Sequence, residues 1–388
     1  MWTILIVALI QMPALALTPG INQITTTTFK ERSLGEVQSA LATSALSQPI
    51  AALGAAMLVN KRLVTKRGVI VFGLLLLAGT ALIAVILHSK FWHLILLSVV
   101  LGISTGCFMS NIFGLIFDNF DEMERQKIVG YQTSFINAGG IMMSLLGGVL
   151  ATMIWYGGYL ILFIGIPAAI LVYRTVPDYK VPASAKAGKK ASERFDRRIF
   201  YYCAIAFLYM MTYSVCGANI STHIAGLGNS AAAGIAVAFT MGGGVVSGLF
   251  FGKLSSKTGD YSMSFALSGV FIGYMMLSVF TSSLALTFAA VFIVGMSLSI
   301  MLPRCIFMVS TLAVDPSTSA TATALVSIAS PSAGIFLSPI IITNLTRAVF
   351  GESTALRYRF VSFVVLALAA IIAVITTLEK RKKEEVFQ

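Results

Sequence analysis

Charge is scarce in this 388-residue chain: 11% of its residues are Asp, Glu, Lys or Arg, against about 25% in a soluble globular domain. Apolar residues reach 57%, where about 45–50% is ordinary. A soluble protein of this length has no interior large enough to hide that excess, which leaves the bilayer as the solvent. Carboxylates are scarcer still. There are 15, and none falls at the centre of an apolar run, Asp118 being the nearest. The four cysteines, Cys107, Cys203, Cys216 and Cys305, lie inside apolar segments without a CxxC spacing, which argues against a disulfide framework or a bound metal. Zinc-ligand spacings, Walker-type loops and catalytic dyads are all missing, so nothing implies an enzyme or a cofactor. Basic residues are absent before Lys30. The stretch Met1 to Leu17 therefore lacks the positive start of a signal peptide, although Ala14-Leu15-Ala16 resembles a cleavage site. Together with Thr18 to Thr28 it reads as a first spanning helix.

What the chain does have is a series of apolar runs of the roughly 20 residues that a spanning helix needs. They fall at 2–27, 36–59, 68–88, 92–118, 127–153, 157–174, 198–221, 231–253, 262–281, 284–313, 320–345 and 357–378, twelve in all. The net charge of +12 does not point to nucleic acid, because the basic residues sit in short clusters between these runs. Lys61, Arg62, Lys66, Arg67, Arg125, Lys127, Lys253, Lys257, the stretch Arg174 to Arg198 and the tail Lys380 to Lys383 all lie on one side. Only Lys30, Arg32, Lys90, Arg347, Arg357 and Arg359 lie in loops on the other. By the positive-inside rule, both termini are cytoplasmic in a multi-pass protein of the cell's inner membrane.

The stretch Arg174 to Arg198 carries Pro177, Pro182, Gly188 and many charges without an apolar run, as a flexible linker would. It divides the chain into a six-helix half (1–174), a basic linker (175–197), a second six-helix half (198–379) and a basic tail (380–388). An internal repeat supports this division. Leu101-Gly102-Ile103-Ser104 aligns with Val294-Gly295-Met296-Ser297 at an offset of 193, and Gly20-Ile21-Asn22 matches Gly217-Ala218-Asn219 at a slightly larger one. The fold class expected is an all-α membrane protein with twelve transmembrane helices in two pseudo-symmetric six-helix bundles.

With these features the chain resembles the major facilitator superfamily over its whole length. That family has two six-helix halves, a basic central linker and a patterned loop after helices 2 and 8. Here Gly252-Lys253-Leu254-Ser255-Ser256-Lys257-Thr258-Gly259 is similar to the family's G-x-L-x-D-R-x-G signature, with Ser256 and Lys257 in place of Asp and Arg. Lys66-Arg67-Gly68 keeps the end of the earlier copy. Two departures weigh against a standard proton-driven drug exporter. Ser98 stands where those members carry an Arg in helix 4, and Met143-Ser144 replaces the Gly-Pro of their helix-5 run. The resemblance implies that helices 3, 6, 9 and 12 face lipid and the others line a central path. It also implies a gating role for Gly252, Lys257, Gly259 and Asp118.

Polar residues recur on single faces of several runs. Ser104, Cys107, Asn111, Gly114 and Asp118 follow at spacings of 3, 4, 3 and 4, so they share a stripe. Gln11, Thr18 and Asn22 do so in the first run, Ser134 and Asn137 in the fifth, Tyr209, Tyr213 and Cys216 in the seventh. Polar groups avoid hydrocarbon, so these faces meet a water-filled path or another helix; small residues such as Ser144 and Ser327 fit close helix packing. Arg304 stands alone, a cation about nine residues from one end of the tenth run, or roughly 13 Å along the axis. It requires compensation, supplied by an anionic substrate group or by carbonyls and amides. The substrate-binding candidates are Arg304, Asn111, Asn137, Gln11, Asn22, Tyr209 and Tyr213. Proton-coupled members of the family use a buried carboxylate, which this chain does not offer. The function expected is a monomeric secondary transporter of a small organic anion, working by alternating access. Its alternatives are an exporter of amphipathic drugs, suggested by the many Phe, Met and Tyr residues, and a non-transporting sensor.

Overall fold

Within a bilayer the backbone finds no water to bond, so each apolar run must close its hydrogen bonds internally. All regular structure among the described residues is accordingly helical. The computed structural model describes residues 1–120, 122–178, 196–312, 322 and 325–387. Eleven helices are long and apolar enough to cross a membrane, and a broken first segment makes a twelfth. In chain order they are α1 (Trp2–Ala8 continuing as Pro13–Thr28), α2 (Leu34–Asn60), α3 (Lys66–Ile86), α4 (Phe91–Asn119), α5 (Glu122–Met153) and α6 (Gly157–Thr175). Then follow α7 (Arg197–Ile224), α8 (Ser230–Thr258), α9 (Ser262–Val279), α10 (Leu284–Leu312), α11 (Leu325–Phe350) and α12 (Thr354–Phe387).

Local chemistry sets several of these ends. Ser33 and Glu36 form a reciprocal capping box at the start of α2: the Glu36 amide donates to Ser33 Oγ, and the Ser33 amide to the Glu36 carboxylate. Thr65 caps α3 through the Gly68 amide. The first run departs from the single helix that its hydropathy predicts. Pro13 and Pro19 have no N–H to donate, and the chain there tightens into short 3₁₀ turns at Pro13–Ala16 and Thr18–Gly20, bent 40° from Trp2–Ala8. The last helix begins at Thr354, three residues earlier than the charge of Arg357 and Arg359 suggests, and continues through Lys380 to Phe387.

The chain divides into two units, Met1–Phe195 with Asn229–Ile235, and Asp196–Gly228 with Ala236–Gln388. In the first, Gly102 and Gly106 of α4 lie against α2, where a Cβ would overlap the carbonyls of Ser44 and Gln48. Gly139 and Gly147 of α5 accept α1 in the same manner, against the carbonyls of Leu9 and Ala16. Its apolar core runs through Ile70, Leu74 and Leu77 of α3, Phe108 and Ile112 of α4, and Tyr159 and Leu162 of α6. In the second unit, Gly295 of α10 meets the Thr240 carbonyl of α8, and Gly334 of α11 meets the Phe207 carbonyl of α7. Gly102 and Gly295 are the aligned glycines of the sequence repeat. They occupy the same crossing, fourth helix on second, in their respective halves.

Candidate functional site

In the first unit, Gln11 lies in the break of α1. The broken ladder there leaves a side chain that is 3% exposed, and both its amide atoms are enclosed without a hydrogen-bond partner among the described residues. An amide so placed loses its bonds to water without replacing them, which costs free energy on folding. Asn22 and Asn137 are half-buried on α1 and α5. Asn111 is buried on α4, but its amide turns back to donate to the Cys107 carbonyl at 2.8 Å. Ser104, on the same stripe, donates to the Gly73 carbonyl of α3 at 2.9 Å. Part of the polar face of α4 is thus consumed by helix contacts. Asp118 belongs to α4, and its side chain lies outside the described residues.

In the second unit, Tyr209 is fully buried and its hydroxyl meets Ser297 Oγ of α10 at 2.8 Å. Tyr213 stands 5.5 Å from it, ring to ring, with its own hydroxyl enclosed and unbonded among the described residues. Arg304 is half-buried on α10, eight residues before Leu312. Its guanidinium lies 5.7 Å from the centre of the Phe307 ring, a cation–π placement. Pro303 beside it lacks the N–H that would close a rung with the preceding turn. The structure therefore assembles Tyr209, Tyr213 and Ser297 at the α7–α10 contact and places Arg304 about two turns beyond Ser297 on the same α10.

The gating candidates separate. Residues 252–258 of the patterned segment are helical, forming the end of α8 rather than a loop. Gly259 then turns the chain with φ +53°, a conformation that favours glycine; Lys257 is exposed. The earlier copy of the pattern makes a tie within its own half. Arg67 Nη2 pairs with Asp178 at 2.7 Å, and its guanidinium lies 5.0 Å from the Tyr173 ring centre at the end of α6.

Two features of the second unit were not predicted from sequence. Arg357, expected in a loop, is fully buried in the first turns of α12. Its Nε donates to Thr346 Oγ1 of α11 at 2.9 Å, and its Nη1 to Asn219 Oδ1 of α7 at 2.6 Å. Asn219 is the repeat partner of Asn22, which was the one signal that this position carries a structural amide. The second feature is Tyr274 of α9. Its hydroxyl donates toward the carbonyls of Thr212 (2.7 Å) and Tyr213 (3.0 Å) and accepts the Cys216 amide at 3.2 Å. Thr212 and Cys216 are the two ends of one i to i+4 rung of α7, so a side chain from another helix sits on that helix's ladder.

The family model for the Major Facilitator Superfamily matches residues 1–339. No curated protein sequence matches the chain significantly. Among solved structures, the nucleoside transporter NupG superposes with a TM-score of 0.73 at 12% identity, over 97% of this chain and 98% of that one. A bacterial homolog of the human lysosomal transporter Spinster, inward-facing and occupied, gives 0.70 at 15%, over 97% and 96%. A POT family transporter in complex with a thioalcohol-conjugated peptide gives 0.73 at 12%, over 97% and 95%. At these identities the likeness is one of fold.

Proposed function

The chain belongs to the major facilitator superfamily, and from that premise we propose that it carries a small organic anion across the membrane by alternating access, with Arg304 as the residue that meets the anion. That it is a secondary transporter of this family follows from the match over residues 1–339 and the superposed transporter folds. One solved neighbour is a nucleoside transporter and another is in complex with a conjugated peptide, so the substrate class rests on this chain's residues.

The carrying observation is a half-buried guanidinium on an apolar helix, backed by an aromatic ring. A cation within a span needs compensation, and a guanidinium bonds a carboxylate more strongly than a neutral acceptor. Gln11, with its amide unbonded among the described residues, is the best placed of the neutral candidates to bond a solute. Asn22, Asn137 and Tyr213 follow. Asn111 and Tyr209 already spend hydrogen bonds within their own units, so the reading gives them a supporting part. Movement of the Gly252 to Gly259 segment and of Asp118 accompanies opening. The reading places the chain in the cytoplasmic membrane as a monomer with both termini inside. Burial of Arg357 supports that orientation, because it removes a basic residue from the loops of the sparse side.

The test is uptake of radiolabelled carboxylates into proteoliposomes by the wild type and by Arg304→Ala. Loss of one charge-assisted hydrogen bond, about 1.5–3 kcal/mol, lowers anion uptake roughly 10- to 100-fold at limiting substrate. Undiminished anion uptake by Arg304→Ala overturns the role given to Arg304. Efflux of neutral amphipathic dyes by both forms, with no anion uptake by either, favours the drug-exporter reading instead.

A further inference from the structure

Arg304 is not the only cation drawn into the second unit. Arg357 is 0% exposed, and among the described residues the side chains that hydrogen-bond it, Thr346 and Asn219, are neutral. Thr346 Oγ1 donates its own proton to the Ile342 carbonyl at 2.6 Å, so its oxygen is free to accept from Arg357 Nε. Asn219 donates its amide to the Val215 carbonyl at 2.8 Å, which aims Oδ1 at Arg357 Nη1. Two helices thus orient the guanidinium without neutralising it. Its Nη2 is enclosed with no hydrogen-bond partner among the described residues.

Among the described residues the carboxylate that approaches Arg357 is Glu352, in the turn between α11 and α12. Its Oε2 stands 4.0 Å from Arg357 Nη2, beyond hydrogen-bond reach. Its other oxygen is bound to Arg347 Nε at 2.6 Å. Glu352 is about half exposed and follows Gly351, whose φ of +69° marks a turn that glycine tolerates. The carboxylate therefore hangs over a fixed cation without closing on it. A second enclosed atom lies against α12. His223, one turn on from Asn219, contacts Thr354 Oγ1 through Nδ1 at 3.2 Å and sets its ring 5.3 Å from Tyr358, while its Nε2 has no hydrogen-bond partner among the described residues.

We propose that Arg357 is the floor of a carboxylate-binding site at the α7, α11 and α12 end of the second unit, and that Glu352 is a resident carboxylate which the ligand displaces. The fixed guanidinium offers an open N–H of the kind that carboxylates take in charge-assisted pairs. The turn carrying Glu352 is the route in: when it swings aside with Arg347, Nη2 is uncovered. Arg347, Arg357 and Arg359 against the single Glu352 in residues 347–359 give this end a surplus of positive charge that draws anions toward it. The site deepens the anion-carrier reading, as a place of first capture, and rests on that reading only for the fate of the ligand; its occupancy is independent of Arg304.

The experiment titrates the purified full-length protein with acetate, succinate, benzoate and inorganic phosphate at constant ionic strength, reading binding by calorimetry. Glu352→Gln removes the competing negative charge 4.0 Å from Nη2 and tightens carboxylate binding about tenfold, as loss of a like charge beside the ligand requires. Arg357→Lys keeps a cation but not the fixed fork, and weakens carboxylate binding at least tenfold. Both effects persist in an Arg304→Gln background. Unchanged or weaker carboxylate binding in Glu352→Gln overturns the proposal, as does binding of phosphate alone. If Glu352→Gln tightens binding while Arg304→Ala leaves anion transport intact, the site stands and the carrier role of Arg304 falls. If Arg304→Ala abolishes transport while Glu352→Gln changes nothing, the reverse holds.

Discussion

Replacing Tyr274 by Phe removes one oxygen and nothing else, and the structure sets bounds on what that oxygen contributes. The Tyr274 ring is fully buried and stacks on Tyr358 with centres 5.5 Å apart, a contact that Phe preserves. The hydroxyl joins the Thr212 and Tyr213 carbonyls and the Cys216 amide. If α7 closes its own rung once the hydroxyl is gone, Thr212 and Cys216 satisfy each other. The cost is then that of one net hydrogen bond, about 1 kcal/mol. If the backbone stays as it is, a buried amide or carbonyl loses a partner, and each such group costs about 1–3 kcal/mol. The expected loss therefore lies between about 1 and 3 kcal/mol. It is read as a lowered unfolding midpoint of the detergent-solubilised protein, alongside amide exchange at Cys216. Slower exchange at Cys216 accompanies the low end, where the helix heals, and faster exchange the high end. Tyr274→Phe with an unchanged midpoint and unchanged exchange would refute the bridging role of the hydroxyl.

Other substitutions probe the remaining features. Gly295→Ala drives a Cβ into the Thr240 carbonyl, whereas at Gly242 the nearest atom, on Phe292, is 3.8 Å away. Gly295→Ala should destabilise by about 1–3 kcal/mol, and Gly242→Ala should be neutral or gain up to about 1 kcal/mol of helix propensity; thermal unfolding of the two side by side checks the contrast. Gln11→Leu exchanges a buried unbonded amide for an apolar group of similar size. Stability should hold or rise by about 1 kcal/mol, while uptake falls if the amide serves the solute; a variant that loses stability and keeps uptake contradicts this.

The membrane makes much of this fold legible. Hydropathy marks a spanning helix because a bilayer tolerates little else, and the runs containing Leu74, Leu267 and Val365 were placed on that basis. The repeat was legible where it lacks side chains, at Gly102 and Gly295, because close crossings restrict those positions to the smallest residue. Arg357 was misplaced for a physical reason. A cation at the edge of an apolar run reads as a loop residue, and its burial depends on Asn219, 138 positions earlier in the chain. The break in α1 falls at Pro13 and Pro19, which the hydropathy of the run does not register. Polarity proved a weak guide to the site, since Asn111 and Ser104 use their hydrogen bonds on carbonyls of α4 and α3.

The glycine crossings bear on mechanics. Where a carbonyl rests on a bare Cα, neither surface has a rotamer to change, so the joint has no soft coordinate along which to slide or roll. The α2–α4 and α8–α10 crossings are of this type. Whatever deformation a working cycle requires has to be absorbed elsewhere, and the first half offers one place for it in the proline-broken ladder of α1. The first half is then stiff along its α2–α4 seam and compliant along its first helix.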